Sequence, residues 1–308
     1  MEYIIKNCPK CNGELPVPSN LETCICMFCG ATVNFHENDK NADIVGSPQK
    51  LEAQYQDALG KISILIENYT PKLKEFKKSK YSISYEDYVQ NCMTVMEPIA
   101  NYANLSEECA ATAVSKTVKA LFAVISTELK DQKKGNINTG KVDQLRFFLA
   151  LYTVPMIVSL KSGISDTLAE QIVQEWKKQF PKYAFNKGNY EDIQNGFQRK
   201  GLCFITSAVC ETMDKSDDCY ELTQFRKFRD QYVLQSEAGR ELVKEYYQIA
   251  PVIVSLVNVI PERRQKYEEI WSRYLKPCLE ELEANSLEEC ENKYINMVKE
   301  LKSEFEID

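Results

Sequence analysis

Two Cys-x-x-Cys pairs set the terms for the start of this chain. Cys8-Pro9-Lys10-Cys11 is followed after fourteen residues by Cys26-Met27-Phe28-Cys29-Gly30. Each pair turns two sulfurs toward one point, and two such turns supply the four thiolates of a tetrahedral zinc site. Gly13 and Gly30 sit just past the two turns, where glycine tolerates a sharp bend and a positive φ. The segment "ELPVPSNLETCIC" between them reads as a short hairpin with a Pro-Ser-Asn turn, and extended character resumes from Ala31 to Phe35. The expectation is a zinc ribbon over residues 1–38, with Cys8, Cys11, Cys26 and Cys29 as metal ligands. Cys24 competes with Cys26. Side chains two apart share a face of an extended arm, so Cys24 lies near the metal, but only Cys26 repeats the two-residue spacing to Cys29. Four thiolates close the shell, which makes His36 a bystander and leaves no position for water or substrate. Structural zinc fits this pattern better than catalytic zinc. A thioredoxin-like use of Cys8 and Cys11 lacks its βαβ setting.

The rest of the composition excludes more than it suggests. His36 is the one histidine in 308 residues, which leaves little room for histidine acid-base work, Ser-His-Asp triads or multi-histidine metal centres. With 44% hydrophobic and 27% charged residues the chain can bury a sizeable core, and no unbroken apolar run reaches 18 residues. The reading is a soluble protein without a membrane partner. Net charge is -7, with -2 in residues 1–50 and -5 in residues 262–308. The one basic cluster, Lys72 to Lys80, reads as a solvated helix end, so a protein partner is expected and a nucleic acid is not. The N-terminus carries no signal-peptide pattern, and seven of the twelve cysteines are scattered through helical stretches, which suits a reducing cytoplasm.

Beyond a polar linker at residues 39–47, periodicity turns helical. Ser47-Pro48 offers an N-cap with proline in the first turn, and Leu51, Tyr55, Ala58, Leu59, Ile62, Ile66, Tyr69, Leu73 and Phe76 recur at threes and fours. That spacing predicts one amphipathic helix of nearly thirty residues. Further starts fall at Ser84, Ser106 and Ser165, and "RFFLALYTVPMIVSL" is apolar almost all round, as a central helix should be. "GNINTGKV", from Gly135 to Val142, matches Gly-x-x-x-x-Gly-Lys but has Val142 where a phosphate loop needs Ser or Thr, and a charged helix end precedes it. It reads as a helix-to-helix loop. Pro155-Met-Ile-Val-Ser-Leu160 and Pro251-Val-Ile-Val-Ser-Leu256 echo each other, each with a tryptophan about twenty residues on. Duplication of a helix pair and coincidence explain this equally well. The fold class expected is mainly α: an N-terminal β zinc ribbon followed by an all-helical multi-helix domain of nine to eleven helices, divided at residues 48–200 and 201–308.

The last division rests on "GLCFITSAVCETMDKSDDCYELTQFRKFRDQYVLQSEAGRELVKEYYQIAPVIV", Gly201 to Val254. Cys203-Phe204-Ile205 with Thr206 and Ala208, the "LTQFRKFRD" stretch, Gly239-Arg240 and "EYYQIAP" resemble the bacterial CFI-box C-terminal domain. With the N-terminal cysteines, "LYTVPMI" and "QEWKKQFPK", the chain resembles zinc-ribbon CFI-box proteins of Gram-positive bacteria. The resemblance implies a module packed on the preceding helices and carries no established activity. Many members have Tyr-Gly where Cys210-Glu211 stand here. From the residues alone, Cys203 is either a buried structural cysteine in a salt-bridged helical hairpin or a thiol activated by arginines or a helix N-terminus, with Thr206 and Ser207 as donors. Arg226, Arg229 and Arg240 are the candidate cations, expected to converge on Asp230, Glu237 and Glu241. A second metal site from Cys203, Cys210 and Cys219 lacks a familiar spacing. The leading functional expectation is a cytoplasmic zinc-binding adaptor that docks another protein, and the alternative is a Cys203-dependent enzyme or thiol redox sensor.

Overall fold

The computed structural model describes residues 3–8, 10, 13–18, 21–34, 43–44, 48–130, 137–198 and 203–305. Cys11, His36, Ser47 and the Gly135 end of the phosphate-loop decoy lie outside them. The protein is mainly helical, with small antiparallel strand pairs at the N-terminus. It divides into two compact units that are each discontinuous in sequence, Met1–Ile62 with Thr94–Thr117, and Ser63–Met93 with Val118–Asp308.

In the first unit β1 (Tyr3–Asn7) pairs with β2 (Glu14–Pro18), placing Ile4 opposite Val17 and Lys6 opposite Leu15. β3 (Thr23–Ile25) pairs with β4 (Thr32–Asn34), which also pairs with β5 (Asp43–Ile44). The two arms of the expected hairpin, β2 and β3, therefore belong to different sheets. The cysteine turns are themselves the hairpin bends, so each strand pairs across its own turn. Leu15, Val17 and Val33 point inward beside Cys8 and Cys26, while Pro16 faces out, where its missing N–H costs no ladder bond.

The expected thirty-residue helix is broken in three. α1 (Pro48–Gly60) ends at Gly60, a 3-10 turn covers Ile62–Ile66, and α2 (Tyr69–Lys74) starts after Asn68 at φ 56°. Glycine, the isoleucine-rich stretch Ile62–Ile66 and Pro71 in the first turn of α2 all disfavour one continuous helix, while each piece still buries members of the apolar series: Tyr55 and Ala58 in α1, Ile62 and Ile66 in the turn, Tyr69 in α2. α3 (Tyr81–Ala103) starts before Ser84, which is a buried hydrogen-bonding residue and not a cap. α4 (Glu107–Leu129) does start at Ser106, whose Oγ accepts from the Cys109 N–H at 3.1 Å. Within the first unit, Tyr55 stacks on Tyr102 with ring centroids 4.2 Å apart.

The second unit is built around a helix that is α over α5 (Thr139–Phe148), π over Leu149–Thr153 and α again over α6 (Val154–Ser159). Residues 147–157 of it are all buried, as the all-apolar pattern requires. Pro155 explains the π turn: it has no N–H for the Leu151 carbonyl, and its ring would strike that carbonyl in a regular helix. The Tyr81 hydroxyl donates to this oxygen at 2.6 Å. Before α5 comes the end of α4, and Lys141 pairs with Glu128 at 2.7 Å, so the Gly-Lys segment is the start of a helix.

The remaining helices are α7 (Ser165–Gln179), α8 (Tyr190–Gln198), α9 (Phe204–Thr212), α10 (Tyr220–Gln231), α11 (Glu237–Val259), α12 (Arg263–Ile270), α13 (Lys276–Glu283) and α14 (Leu287–Glu304). A second π turn, Trp271–Leu275 ahead of Pro277, joins α12 to α13. The described residues thus hold fourteen α segments, more than the nine to eleven expected, because turns and two π insertions divide stretches that periodicity alone joins. Both echoing Pro segments lead into helical hairpins, α6 to α7 and α11 to α12, but Trp176 is buried near a helix end whereas Trp271 sits in the π turn. By length and composition, Glu107–Leu129 and Thr139–Ser159 would suffice to cross a bilayer; 72% of the apolar window in the second packs inside the protein, and 39% of that in the first.

Candidate functional site

Two places hold the sequence-derived candidates. In the strand module the Sγ atoms of Cys8, Cys26 and Cys29 lie within 4.8 Å of one another, near enough to hold one metal ion. Backbone bonds shape both turns. The Cys8 N–H donates to the Gly13 carbonyl at 2.9 Å, the Cys26 N–H to Ala31 at 2.7 Å, and the Gly30 N–H back to Cys26 at 2.9 Å. Gly30 adopts φ +71°, a conformation other L residues resist. A Cβ on Gly13 would meet the exposed Phe28 ring at 2.5 Å, so any side chain there would push that ring aside. Cys24 packs against the same small core from the side, outside the converging group.

The thiols already feel one another. Burial opposes ionisation of Cys26, but the backbone N–H groups of Phe28 and Cys29 and the neighbouring thiols of Cys29 and Cys8 outweigh it and bring its pKa down to about 7. Burial, with the negative charge that Cys26 and Cys8 would carry, holds Cys24 above the ordinary thiol value. A metal would take the sulfurs most easily deprotonated, which favours Cys26 over Cys24.

At the second place, Cys203 is the N-cap of α9 and only 6% exposed. Burial pushes its thiol up to about 11, against the pull of Arg229 and Arg226 and with a smaller push from Asp230. The three arginines do not converge as expected. Arg229 binds Asp230 through two nitrogens at 2.7 and 3.0 Å and reaches the Tyr247 hydroxyl at 3.2 Å. Arg226 binds Asp217. Arg240 donates to the Leu234 and Gln235 carbonyls and so clasps the turn before α11. Gly239 belongs to the same clasp, since a Cβ on it would stand 1.8 Å from the Val233 carbonyl oxygen.

Thr206 is hydrogen-bonded to the Tyr294 hydroxyl at 3.3 Å, and the Ser207 Oγ is buried on another face, lining a polar groove with Asn258 and Arg263. Cys210 contacts Cys219, and burial pushes it up to about 12. Among the described residues the three cysteines 203, 210 and 219 form no metal-holding group.

Sequence reasoning missed two phenols beside Cys203. Tyr246 accepts from the Ile205 N–H at 3.1 Å, one of the donors that the first turn of α9 leaves open, and Tyr294 donates to Tyr246 at 3.1 Å. Tyr246 was legible as part of "EYYQIAP". Tyr294 had no local signal, because it arrives from α14, 88 residues from Thr206. Comparison with known proteins adds no name to these sites: no family model, no curated protein and no solved structure matches the chain.

Proposed function

We propose that the strand module is a zinc ribbon with structural zinc on Cys8, Cys11, Cys26 and Cys29, and that the protein is a cytoplasmic adaptor that docks another protein through it. The convergence of three thiols carries the metal reading. Zinc–sulfur bonds of about 2.3 Å give a tetrahedron with edges of about 3.8 Å, and Cys8 Sγ and Cys29 Sγ are 3.7 Å apart. Cys11 supplies the fourth thiolate by its spacing from Cys8. The resemblance to zinc-ribbon CFI-box proteins supports the same assignment.

Four large apolar side chains on this small module, Ile5, Ile25, Met27 and Phe28, are 63–71% exposed, and among the described residues they make up more than half of the large hydrophobics left in solvent. Exposed apolar groups beside a closed metal shell favour docking over catalysis. The test combines metal analysis with in-cell crosslinking. One zinc per chain, and a crosslinked partner lost in Ile25→Ser/Met27→Ser with zinc retained, is the expected result. Zinc-free protein, or a partner indifferent to these side chains, refutes the reading.

A further inference from the structure

A cleft of about 160 Å³ opens between α10, α11 and α14. Phe225 and Phe228 of α10 line it and are buried, whereas Leu242 and Ile249 of α11 and Ile295 and Val298 of α14 line it half-buried, with part of each left to solvent. Apolar side chains left open side by side and rimmed by charge have the anatomy of a docking face.

The charges of α14 are treated differently on its two sides. Away from the cleft they are paired: Lys293 with Glu281, Glu300 with Arg273 and Glu304 with Lys266. Along the cleft, Glu291, Lys299 and Lys302 of α14 and Glu245 of α11 have no ion-pair or side-chain hydrogen-bond partner among the described residues. Arg229 also lines the cleft, but Asp230 neutralises it. Unpaired charges of both signs thus border one apolar strip, and a partner of a single sign would leave half of them facing a like charge.

The order of residues along α14 shows which partner fits. Glu291, Ile295, Val298 and Lys302 are spaced at four, three and four, which makes one stripe about 16 Å long. A two-fold axis crossing this stripe midway between Ile295 and Val298 exchanges those two residues and exchanges Glu291 with Lys302. An antiparallel copy of α14 therefore brings apolar groups together at the centre and unlike charges together at each end. A parallel copy would stack Glu291 on Glu291 and Lys302 on Lys302. We propose that this face is the interface of a two-fold dimer of the chain, in which α14 lies antiparallel to α14 of the second copy and each copy's Ile295 and Val298 cover the other's cleft. The interface belongs to the second unit alone and is independent of the zinc ribbon.

Sedimentation velocity on the full chain, over a concentration series through the micromolar range, tests this. The mass is expected to rise from 35.4 kDa toward twice that value. Glu291→Lys or Lys302→Glu alone sets like charges against each other at both ends of the stripe and should weaken self-association at least about tenfold, with the helical circular dichroism unchanged. An equimolar mixture of the two variants restores unlike pairs at both ends, so it should dimerise as the unaltered chain does while neither variant does so alone. Should either reversal lose its helical signal, Glu291→Gln reads the same end pairs more gently, as a smaller loss of dimer. A chain that stays monomeric throughout the series, which would leave the cleft to a different partner, would overturn the assignment. So would a dimer indifferent to these variants, or a mixture that associates no better than its components.

Discussion

The two readings of Cys203 differ by a measurable thiol ionisation. The residue is 6% exposed and burial pushes its pKa from the ordinary 9.0 to about 11. At pH 8 the thiolate fraction is then about 0.1%, against about 9% for an unshifted thiol, so attack on iodoacetamide should be about a hundredfold slower on that ground alone. The assay is alkylation of Cys203 followed by mass spectrometry from pH 6 to 10, with the protein in urea as reference. The native rate should rise log-linearly to pH 10 without an inflection, while the unfolded chain inflects near 9. Arg229→Ala removes the largest charge that favours the thiolate and should slow the native reaction further. The same shift couples to stability. Below pH 9 both states hold the proton and the contribution is intact; between 9 and 11 the unfolded chain loses it first, so stability falls by about 1.4 kcal/mol per unit, up to about 2.7 kcal/mol. Cys203→Ala should remove that part of the alkaline slope. An inflection below about pH 8, or a native rate within tenfold of the unfolded one, would refute the buried-thiol account and restore the reactive one.

Gly239→Ala drives a Cβ to 1.8 Å from the Val233 carbonyl and should cost more than about 2 kcal/mol in urea unfolding, whereas Gly60→Ala, with nothing within 4 Å, should be neutral or stabilising by up to about 1 kcal/mol. Tyr81→Phe removes the donor to Leu151 and should cost about 1–3 kcal/mol by the same measurement; a neutral result would mean that the carbonyl has another donor. On the zinc-ribbon proposal, chelation or Cys26→Ser should release the metal and erase amide-exchange protection in β1 to β4; protection that persists without metal would show that the strands stand on their own small core.

What could be read from the sequence was local. The cysteine spacing brought out Cys26 rather than Cys24, and the converging sulfurs are Cys8, Cys26 and Cys29. The Ser106 cap and the buried centre around residues 147–157 followed from capping chemistry and period alone. Of the arginines around Cys203, Arg229 does meet the expected Asp230, but the other two have partners set by turns: Arg226 folds back to Asp217 and Arg240 to carbonyls, neither of which a charge pattern reveals. Gly239 was noticed as part of a motif, but its reason, a carbonyl passing over its Cα, exists only in three dimensions.

The broken helices pose the deeper case, since the periodicity between Leu51 and Phe76 is sound and the continuous helix still does not form. Breaking a helix frees carbonyls, and buried free carbonyls must find donors. In the second unit tyrosines and a threonine supply them. The Leu65 oxygen, at the 3-10 turn after α1, accepts from the Tyr88 hydroxyl at 2.9 Å and from Thr153 at 3.0 Å. The Lys72 oxygen in α2, which takes the Glu75 N–H at 3.1 Å, accepts a second bond from Tyr152 at 3.0 Å, and the Leu151 oxygen facing Pro155 accepts from Tyr81. Each donor lies at least 23 residues from its acceptor. Burial raises the pKa of all three phenols, which keeps them protonated as donors. Three of the seventeen tyrosines thus have a shared physical role: a phenol can fill a core and still carry one neutral hydrogen-bond donor to a buried carbonyl beside a turn or a proline, and nothing in local periodicity announces where that carbonyl will be.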